Sequence, residues 1–233
     1  MNSNIKSLLF KIKQLLKRLL GDKSYKIKGH DLIKKHEKEI GKILDIDSTI
    51  VEIGSERKAG STKYLAKLAH KYKVLFFTVD IDTDTSNSAR KIVKNISTKF
   101  DAINKPGEMY LKETKEKLGL VYLDAFDIPG EWINQNLIHL YEKRGQNLTL
   151  ENCWKMHLDC AEAIVGKMKK GGYVCFDDVN PVNKNGDLIF EKVDEKHPTW
   201  SGKGETAIPF LLNNGFVIID NRRAGALLKK IVD

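Results

Sequence analysis

Two adjacent carboxylates close a short apolar segment in the second half of the chain. The segment GGYVCFDDVN (171–180) runs from two glycines through an apolar run to Asp177 and Asp178. β-Branched and aromatic residues bounded by glycine predict a buried strand over 173–176. Like charges this close raise each other's pKa unless a cation lies beside them. The pair therefore indicates either a cation site or a solvated strand end that caps a helix.

Glycine and acidic residues also follow other predicted strands. The first strand runs into VEIGSERKAGST (51–62), the second ends in TVDID (78–82), and the fourth ends in YLDAFD (122–127). Glycine lets the backbone approach a ligand closely, and the next helix offers free N–H groups at its start. An acidic residue after the second strand, here Asp80, can accept hydrogen bonds from both hydroxyls of a ribose. This combination is common to sites for nicotinamide and for adenosyl cofactors, so both classes stay open.

The elements that must position these residues alternate between strand and helix from residue 45 onward. Apolar runs predict strands over 49–53, 74–79, 100–103, 120–123, 173–176, 216–219 and 226–232. Helical periodicity predicts helices over 30–44, 61–72, 85–96, 108–117, 131–143, 150–169 and 205–213. We therefore predict an α/β, Rossmann-like, doubly wound and mostly parallel seven-stranded sheet that ends in a C-terminal antiparallel hairpin. Ligands bind at the carboxyl ends of such strands, so the glycine and acidic residues should meet there.

From about residue 45 to residue 233 the chain resembles the class I S-adenosylmethionine-dependent methyltransferases. The resemblance lies in VEIGSERKAGST, FFTVDID, INKPGEMYL, LVYLDAFD and MKKGGYVCFDD, and in the closing hairpin. The glycine spacing departs from the commonest form, because Gly54 and Gly60 enclose five residues. The resemblance implies S-adenosyl-L-methionine as cofactor. The implied cofactor-binding residues are Glu52, Gly54, Ser55, Gly60, Ser61, Thr62, Asp80, Ile81, Gly107, Glu108 and Asp124.

Within that family, the metal-dependent O-methyltransferases have one aspartate after the fourth strand and an acidic pair after the fifth. The resemblance implies that Asp124, Asp177 and Asp178 bind Mg²⁺ or another divalent cation, whose charge would explain the adjacent pair. Hard oxygen ligands of this kind suit Mg²⁺. Two alternatives stay open: a metal-free site with Asp124 as the base, and a helix cap without catalytic function.

The acceptor predicted from the resemblance is an alcohol. Catechol-type members of the family have a lysine base three residues after the first metal aspartate, and this chain has Asp127 there. The sequence therefore resembles the macrocin-type branch, which implies a hydroxyl of a sugar or glycoconjugate precursor as acceptor and a role in polysaccharide biosynthesis. Asp124 is the predicted catalytic base, and His157 is a second candidate.

Two other segments allow two interpretations each. Cys153, His157 and Cys160 share one face of the helix predicted over 150–169, which is typical of core packing and also conceivable for zinc. The long polar stretch over 180–204 is predicted to be a substrate lid, in which Trp200 or Lys203 would contact the acceptor and His197 is a further candidate; the alternative is mobile surface.

Composition limits the class of protein and its partners. A chain of 233 residues suits one α/β domain, and three cysteines without a CxxC pair favour the reducing cytoplasm. The net charge of +9 comes almost entirely from lysine, so nucleic acid is a minority hypothesis, either as a methyl acceptor or as the ligand of a basic binding module. A nicotinamide-dependent oxidoreductase fits less well, because of the acidic residues and the terminal hairpin.

The first 44 residues are predicted to form an N-terminal helical extension. The predicted methyltransferase domain covers residues 45–233. Apolar residues recur at helical spacing over residues 5–20, and lysine and arginine fill the other positions. A basic amphipathic helix can lie on an anionic membrane surface, pack on its own domain or pack across a homo-oligomer. The predicted location is the cytoplasm, and the first alternative would add the inner face of the membrane.

Overall fold

A computed structural model describes residues 28–55, 60–96, 99–129, 135–189, 193, 199–222 and 224–233. The amphipathic segment 5–20 and His197 lie outside the described residues, so the predictions made for them stay predictions. No helix within the described residues is long and apolar enough to cross a membrane.

A seven-stranded sheet forms the centre of the described structure. Its strand order is β3-β2-β1-β4-β5-β9-β8, with β1 to β5 parallel and β9 antiparallel to both β5 and β8. The strands are β1 (Ser48–Ile53), β2 (Leu75–Asp80), β3 (Phe100–Asn104), β4 (Lys117–Leu123), β5 (Met168–Asp177), β8 (Phe216–Arg222) and β9 (Gly225–Lys230). The predicted fold class is confirmed, including the terminal hairpin.

Helices cover both faces of the sheet, which is why β1 is buried along its whole length. The helices on the first face are α1 (Gly29–Lys35), α2 (Glu37–Gly41), α3 (Ser61–Tyr72) and α4 (Thr83–Val93). Those on the second face are α5 (Gly107–Glu113), α7 (Leu150–Val165) and α8 (Ala207–Asn213). A further helix, α6 (Gln135–Lys143), lies beside the carboxyl ends of the strands and contributes Tyr141 there.

The segment predicted as an extension before residue 45 belongs, in its described part, to the domain core. Leu32, Ile33 and Ile40 are completely buried in the hydrophobic cluster beneath α3. A Cβ atom on Gly29 would lie 2.6 Å from the carbonyl oxygen of Phe176, so α1 begins directly against the end of β5. The predicted single helix over 30–44 is two short helices, α1 and α2, separated at His36. Residues 29–44 therefore pack on the domain, while the domain boundary predicted at residue 44 stays a prediction.

Sheet pairing also moves several predicted boundaries. Helix α5 ends at Glu113, and β4 already begins at Lys117, where a helix was predicted. Strand β5 begins at Met168, which pairs with Leu118, so α7 ends earlier than its apolar periodicity predicts. In the stretch predicted as irregular, β6 (Val179–Pro181) and β7 (Trp200–Gly202) form an antiparallel pair. Long-range pairing decides each of these limits, and local propensity does not encode it.

Candidate active site

A cavity of about 340 Å³ opens at the carboxyl ends of β1, β2, β4 and β5. This volume lies within the range of small-molecule sites. Several residues predicted for the cofactor and the metal line it together: Gly54, Ser55, Asp80, Ile81, Gly107, Glu108, Asp124 and Asp178. The fold thus brings most of the predicted site to one place.

The end of β1 has a backbone that only glycine tolerates. Gly54 has a φ of 89°, and a Cβ atom there would lie 2.6 Å from the backbone nitrogen of Ala125. Gly107, at the start of α5, is equally constrained, because a Cβ atom would overlap the side chain of Ile53. Both glycines keep backbone close to the cavity where a side chain would fill it.

Asp80 ends β2 with its carboxylate fixed at the cavity wall. Its two oxygens accept hydrogen bonds from the backbone N–H groups of Ser55 (3.1 Å) and Asp82 (2.8 Å). Burial raises the pKa of Asp80, and these two hydrogen bonds oppose the shift. A carboxylate has about four lone-pair positions, so acceptor capacity remains for the hydroxyls of a ligand.

Other predicted cofactor residues lie behind the cavity wall. Glu52 is completely buried and accepts hydrogen bonds from the hydroxyls of Ser61 and Thr78, each at 2.6 Å. Burial raises the pKa of Glu52 to about 7, while hydrogen bonds from Ser61, Thr78 and Thr62 oppose the shift. Glu52, Gly60, Ser61 and Thr62 are not among the residues that line the cavity. Through the hydroxyls of Ser61 and Thr78, Glu52 links the end of β1 to the first turn of α3 and to β2.

At the other end of the cavity, three carboxylates surround one lysine. Oxygens of Asp124, Asp177 and Asp178 lie within 4.8 Å of one another. The Nζ of Lys203 lies 2.7 Å from Asp124 Oδ1 and 3.0 Å from Asp178 Oδ2. The predicted triad therefore converges, and a cation supplied by the chain contacts two of its members.

The two adjacent aspartates have different surroundings. Asp177 is buried, and its oxygens accept hydrogen bonds from the Gly29 N–H (2.8 Å) and the Tyr122 hydroxyl (2.9 Å). Asp178 adopts the left-handed conformation, with a φ of 49°, and its half-exposed side chain reaches the cavity. Each carboxylate therefore has its own partners, which explains how the pair is tolerated.

The triad has the oxygen chemistry that Mg²⁺ prefers, but its present contacts do not fit a resident metal. Mg²⁺ needs oxygens at about 2.0–2.1 Å in octahedral geometry. Here the Lys203 ammonium already contacts Asp124 Oδ1 and Asp178 Oδ2. A dication bound to the same oxygens would lie against the ammonium.

Burial raises the pKa of Asp124 above its usual range. The Lys203 ammonium opposes this shift, whereas the negative charges of Asp177 and Asp178 add to it. Lys203 is itself buried, and its pKa is raised by the carboxylates of Asp124 and Asp178 against the effect of burial. A carboxylate whose pKa is raised toward neutrality is suited to accept a proton from an alcohol.

The cavity also contains residues that the sequence did not identify. Arg144 forms an ion pair with Asp82 at 2.6 Å beside the cofactor end. The Tyr141 hydroxyl accepts a hydrogen bond from the backbone N–H of Asp127 (2.7 Å) and donates one to its carboxylate (3.1 Å). Both residues come from α6 and the turn after it, where no motif distinguishes them from surface residues.

His157 and its neighbours belong to the core. Cys153, His157 and Cys160 are completely buried, and His157 Nδ1 lies 2.8 Å from the carbonyl oxygen of Cys153. Burial lowers the pKa of His157 to about 3. His157 is not among the cavity-lining residues, and within the described part of the chain these three side chains form no metal-binding group. The core interpretation is supported, and a role for His157 as the base is not.

Among the described residues of the predicted substrate stretch, one lines the cavity. Lys203 lines it, whereas Trp200 is buried in the hydrophobic cluster beneath α7 and α8. The expected acceptor contact by Trp200 therefore needs correction. Parts of the stretch (190–192 and 194–198) lie outside the described residues, so its function as a lid stays a prediction.

Solved structures of other proteins share this fold. A proposed rRNA methylase from Clostridium thermocellum covers 86% of this chain over 97% of its own length, with 13% identity and a TM-score of 0.51. A proposed methyltransferase from Streptococcus mutans, solved in complex with S-adenosylhomocysteine, covers 85% over 97% of its length, with the same identity and TM-score. This is the methyltransferase fold. At the level of sequence, no protein-family model and no curated protein matches the chain.

Proposed function

We propose that the protein transfers a methyl group from S-adenosylmethionine to a hydroxyl of a sugar or glycoconjugate precursor. One observation carries the proposal: a single cavity joins Asp80, at the position suited to a ribose, to Asp124, a partly buried carboxylate with a raised pKa. Cofactor and acceptor would then share one enclosed space, which orients the two reactants.

The chain's own residues supply binding and proton transfer. When bound, S-adenosylmethionine supplies an electrophilic methyl group on a sulfonium centre. Asp80 would accept hydrogen bonds from the ribose hydroxyls, and Gly54 would let the backbone approach the cofactor closely. Asp124 would accept the proton of the acceptor hydroxyl as the hydroxyl oxygen bonds to the methyl carbon and the sulfur–methyl bond breaks. The products would be a methyl ether and the neutral thioether S-adenosylhomocysteine.

The acceptor end of the cavity suits a polyhydroxylated molecule. Asp127, Asp178 and Gln146 offer polar groups there, and Phe126 and Tyr141 offer aromatic rings whose centroids lie 4.8 Å apart. Small-molecule sites combine apolar and aromatic walls with a few polar groups that fix orientation. A sugar hydroxyl would donate its proton to a carboxylate directly, without the lysine base that a phenol could use.

Titration calorimetry with S-adenosylhomocysteine tests the cofactor assignment. We expect micromolar binding by the native protein and at least a tenfold loss in Gly54→Ala, because the new Cβ would displace the backbone at Ala125. Gly186→Ala is the matched control, since Gly186 lies away from the cavity, also has a positive φ (78°) and offers a Cβ atom nothing within 4 Å. Absence of binding by the native protein would reject the proposal.

Nucleic acid is the second candidate acceptor, favoured by the net charge of +9 and by the likeness to a proposed rRNA methylase. Binding to RNA through phosphate contacts would weaken steeply as salt concentration rises. We expect no such binding. RNA binding at micromolar concentration that falls by at least tenfold between 50 and 200 mM salt would favour this alternative over a sugar acceptor.

A further inference from the structure

Lys203 is a cation built into the acceptor end of the site. Its side chain is only 4% exposed, and it forms ion pairs with Asp124 and Asp178. Burial of an ammonium group is unfavourable unless it is paired. Most lysine residues in the described part of the chain are not buried, so a buried lysine among carboxylates indicates a specific role.

The backbone around Lys203 is held in place by several contacts. The Lys203 N–H donates to the carbonyl oxygen of Asp178 (3.1 Å), and the Trp154 indole N–H donates to that of Gly202 (3.1 Å). Gly202 has a φ of 78°, and a Cβ atom there would overlap the Asp178 carbonyl oxygen. Glycine at this position therefore lets β7 approach Asp178 closely enough for Lys203 to enter the triad.

The ammonium group donates two hydrogen bonds to Asp124 and forms a further ion pair with Asp178. Its Nζ lies 2.7 Å from Asp124 Oδ1, 3.3 Å from the Asp124 carbonyl oxygen and 3.0 Å from Asp178 Oδ2. An ammonium group has three hydrogens. These contacts fix Asp124 at both its side chain and its backbone, so Lys203 acts as a positioning residue for Asp124.

We infer that Lys203 takes the position of a divalent metal in this site, so that methyl transfer proceeds without a metal ion. The ammonium neutralises part of the triad's charge and orients Asp124 toward the acceptor, two effects that a dication would otherwise supply. The inference rests on the function proposed above for the role of Asp124, but the exclusion of a metal rests on the contacts of Lys203 alone.

Titration with Mn²⁺, followed by electron paramagnetic resonance of the free ion, tests the inference. We expect the native protein to leave the Mn²⁺ signal unchanged up to millimolar concentrations. Lys203→Met removes the ammonium and retains the three carboxylates, so it should bind Mn²⁺ at least tenfold more tightly than the native protein. The double variant Lys203→Met/Asp178→Asn should lose that gain, because one ligand is removed.

Two outcomes would overturn the inference. The first is Mn²⁺ binding by the native protein that Asp178→Asn abolishes; this measurement needs no lysine variant and holds even if Lys203→Met fails to fold. The second is a folded Lys203→Met protein with no gain in Mn²⁺ affinity. Neither depends on methyl transfer, so failure of the proposed function, seen as absence of S-adenosylhomocysteine binding, is distinguished from failure of this inference.

Discussion

At the scale of single residues, the environment decides what each carboxylate does. Asp177 and Asp178 are adjacent in sequence, yet the first is buried against α1 and Tyr122 and the second reaches the cavity. Asp124, which pairs with Lys203, is partly buried and lines the cavity. Chemically identical groups thus have different roles because their neighbours come from different elements.

Asp124→Asn should abolish most methyl transfer and preserve cofactor binding. The amide cannot accept the acceptor's proton, so we expect the rate to fall by about 10²–10⁴, with S-adenosylhomocysteine affinity within threefold of native. Initial rates and calorimetry measure the two effects. Asp47→Asn, which changes an exposed aspartate at the opposite end of β1, should leave both unchanged. Activity retained in Asp124→Asn would exclude this residue as the base.

Glu52 should make the protein less stable as pH rises. Its pKa is raised from 4.5 to about 7 in the folded protein, so between these values the folded state holds a proton that the unfolded chain has lost. The free energy of unfolding should therefore fall through this window by on the order of 3 kcal/mol.

Glu52→Gln mimics the protonated form, so urea denaturation at pH 5 and pH 8 should show a smaller decline for this variant than for the native protein. Glu39→Gln, which changes an exposed residue of α2, is the control and should keep the native decline. An undiminished decline in Glu52→Gln would assign the pH dependence to other groups.

At the scale of elements, the short pair β6 and β7 connects the acceptor end to the rest of the fold. Val179 pairs with Gly202, which brings Lys203 back to the end of β5 although the two segments are far apart in sequence. The predicted irregular stretch thus contains an ordered element at both ends. The acceptor site depends on this pairing as much as on the strands of the main sheet.

Comparison of Gly202→Ala with Gly186→Ala should distinguish the cost of a steric overlap with Asp178 from the cost of a positive φ. Both glycines have a φ of 78°, but a Cβ atom overlaps the Asp178 carbonyl at Gly202 and meets nothing within 4 Å at Gly186. We expect Gly186→Ala to cost about 1 kcal/mol from strain alone. Gly202→Ala should cost at least about 2 kcal/mol more, since the backbone at Asp178 must move. Urea denaturation measures the loss in free energy of unfolding for each variant. Equal losses would show that Gly202 is not tightly packed against Asp178.

At the scale of the whole molecule, the segment before β1 is part of the domain. Helix α1 contacts β5, β8 and β9 and supplies the Gly29 N–H that binds Asp177. Residues 29–44 therefore contribute to both the core and the site. Assembly into a homo-oligomer, with residues 5–20 across the interface, stays a prediction that sedimentation analysis can test.

Leu32→Ala should destabilise the whole protein. Leu32 is completely buried between α1 and the sheet, so its truncation leaves a cavity in the core and should cost about 2–5 kcal/mol. Ile46→Ala is the control, because Ile46 is 79% exposed and its truncation should change stability by less than about 0.5 kcal/mol. Thermal or urea unfolding measures both. Similar losses of stability in the two variants would indicate that α1 is a separable extension.

Removal of residues 1–22 tests the predicted membrane contact. We expect the full chain to sediment with anionic vesicles and the shortened chain not to do so, since the basic amphipathic segment would carry both the charge and the apolar surface. Neutral vesicles are the control. Undiminished sedimentation of the shortened chain would show that another surface binds the membrane.

The sequence by itself determined the order of strands and helices and the chemistry at the strand ends. The sequence could predict that Gly54, Asp80 and Asp124 lie at one edge of the sheet. Apolar periodicity and turn residues are local properties, and parallel strands bring their carboxyl ends together. The antiparallel hairpin followed from its short connection.

The tertiary structure alone decided which of these groups are buried and what faces them. Glu52 and His157 could not be assigned from sequence, because a residue at a strand end or on a helix face enters a cavity or the core according to the packing of distant elements. Lys203 contacts Asp124 only through the pairing of β6 with β7, which no local pattern encodes. Charge balance at the site is therefore a property of the fold, since it depends on contacts between residues far apart in the chain.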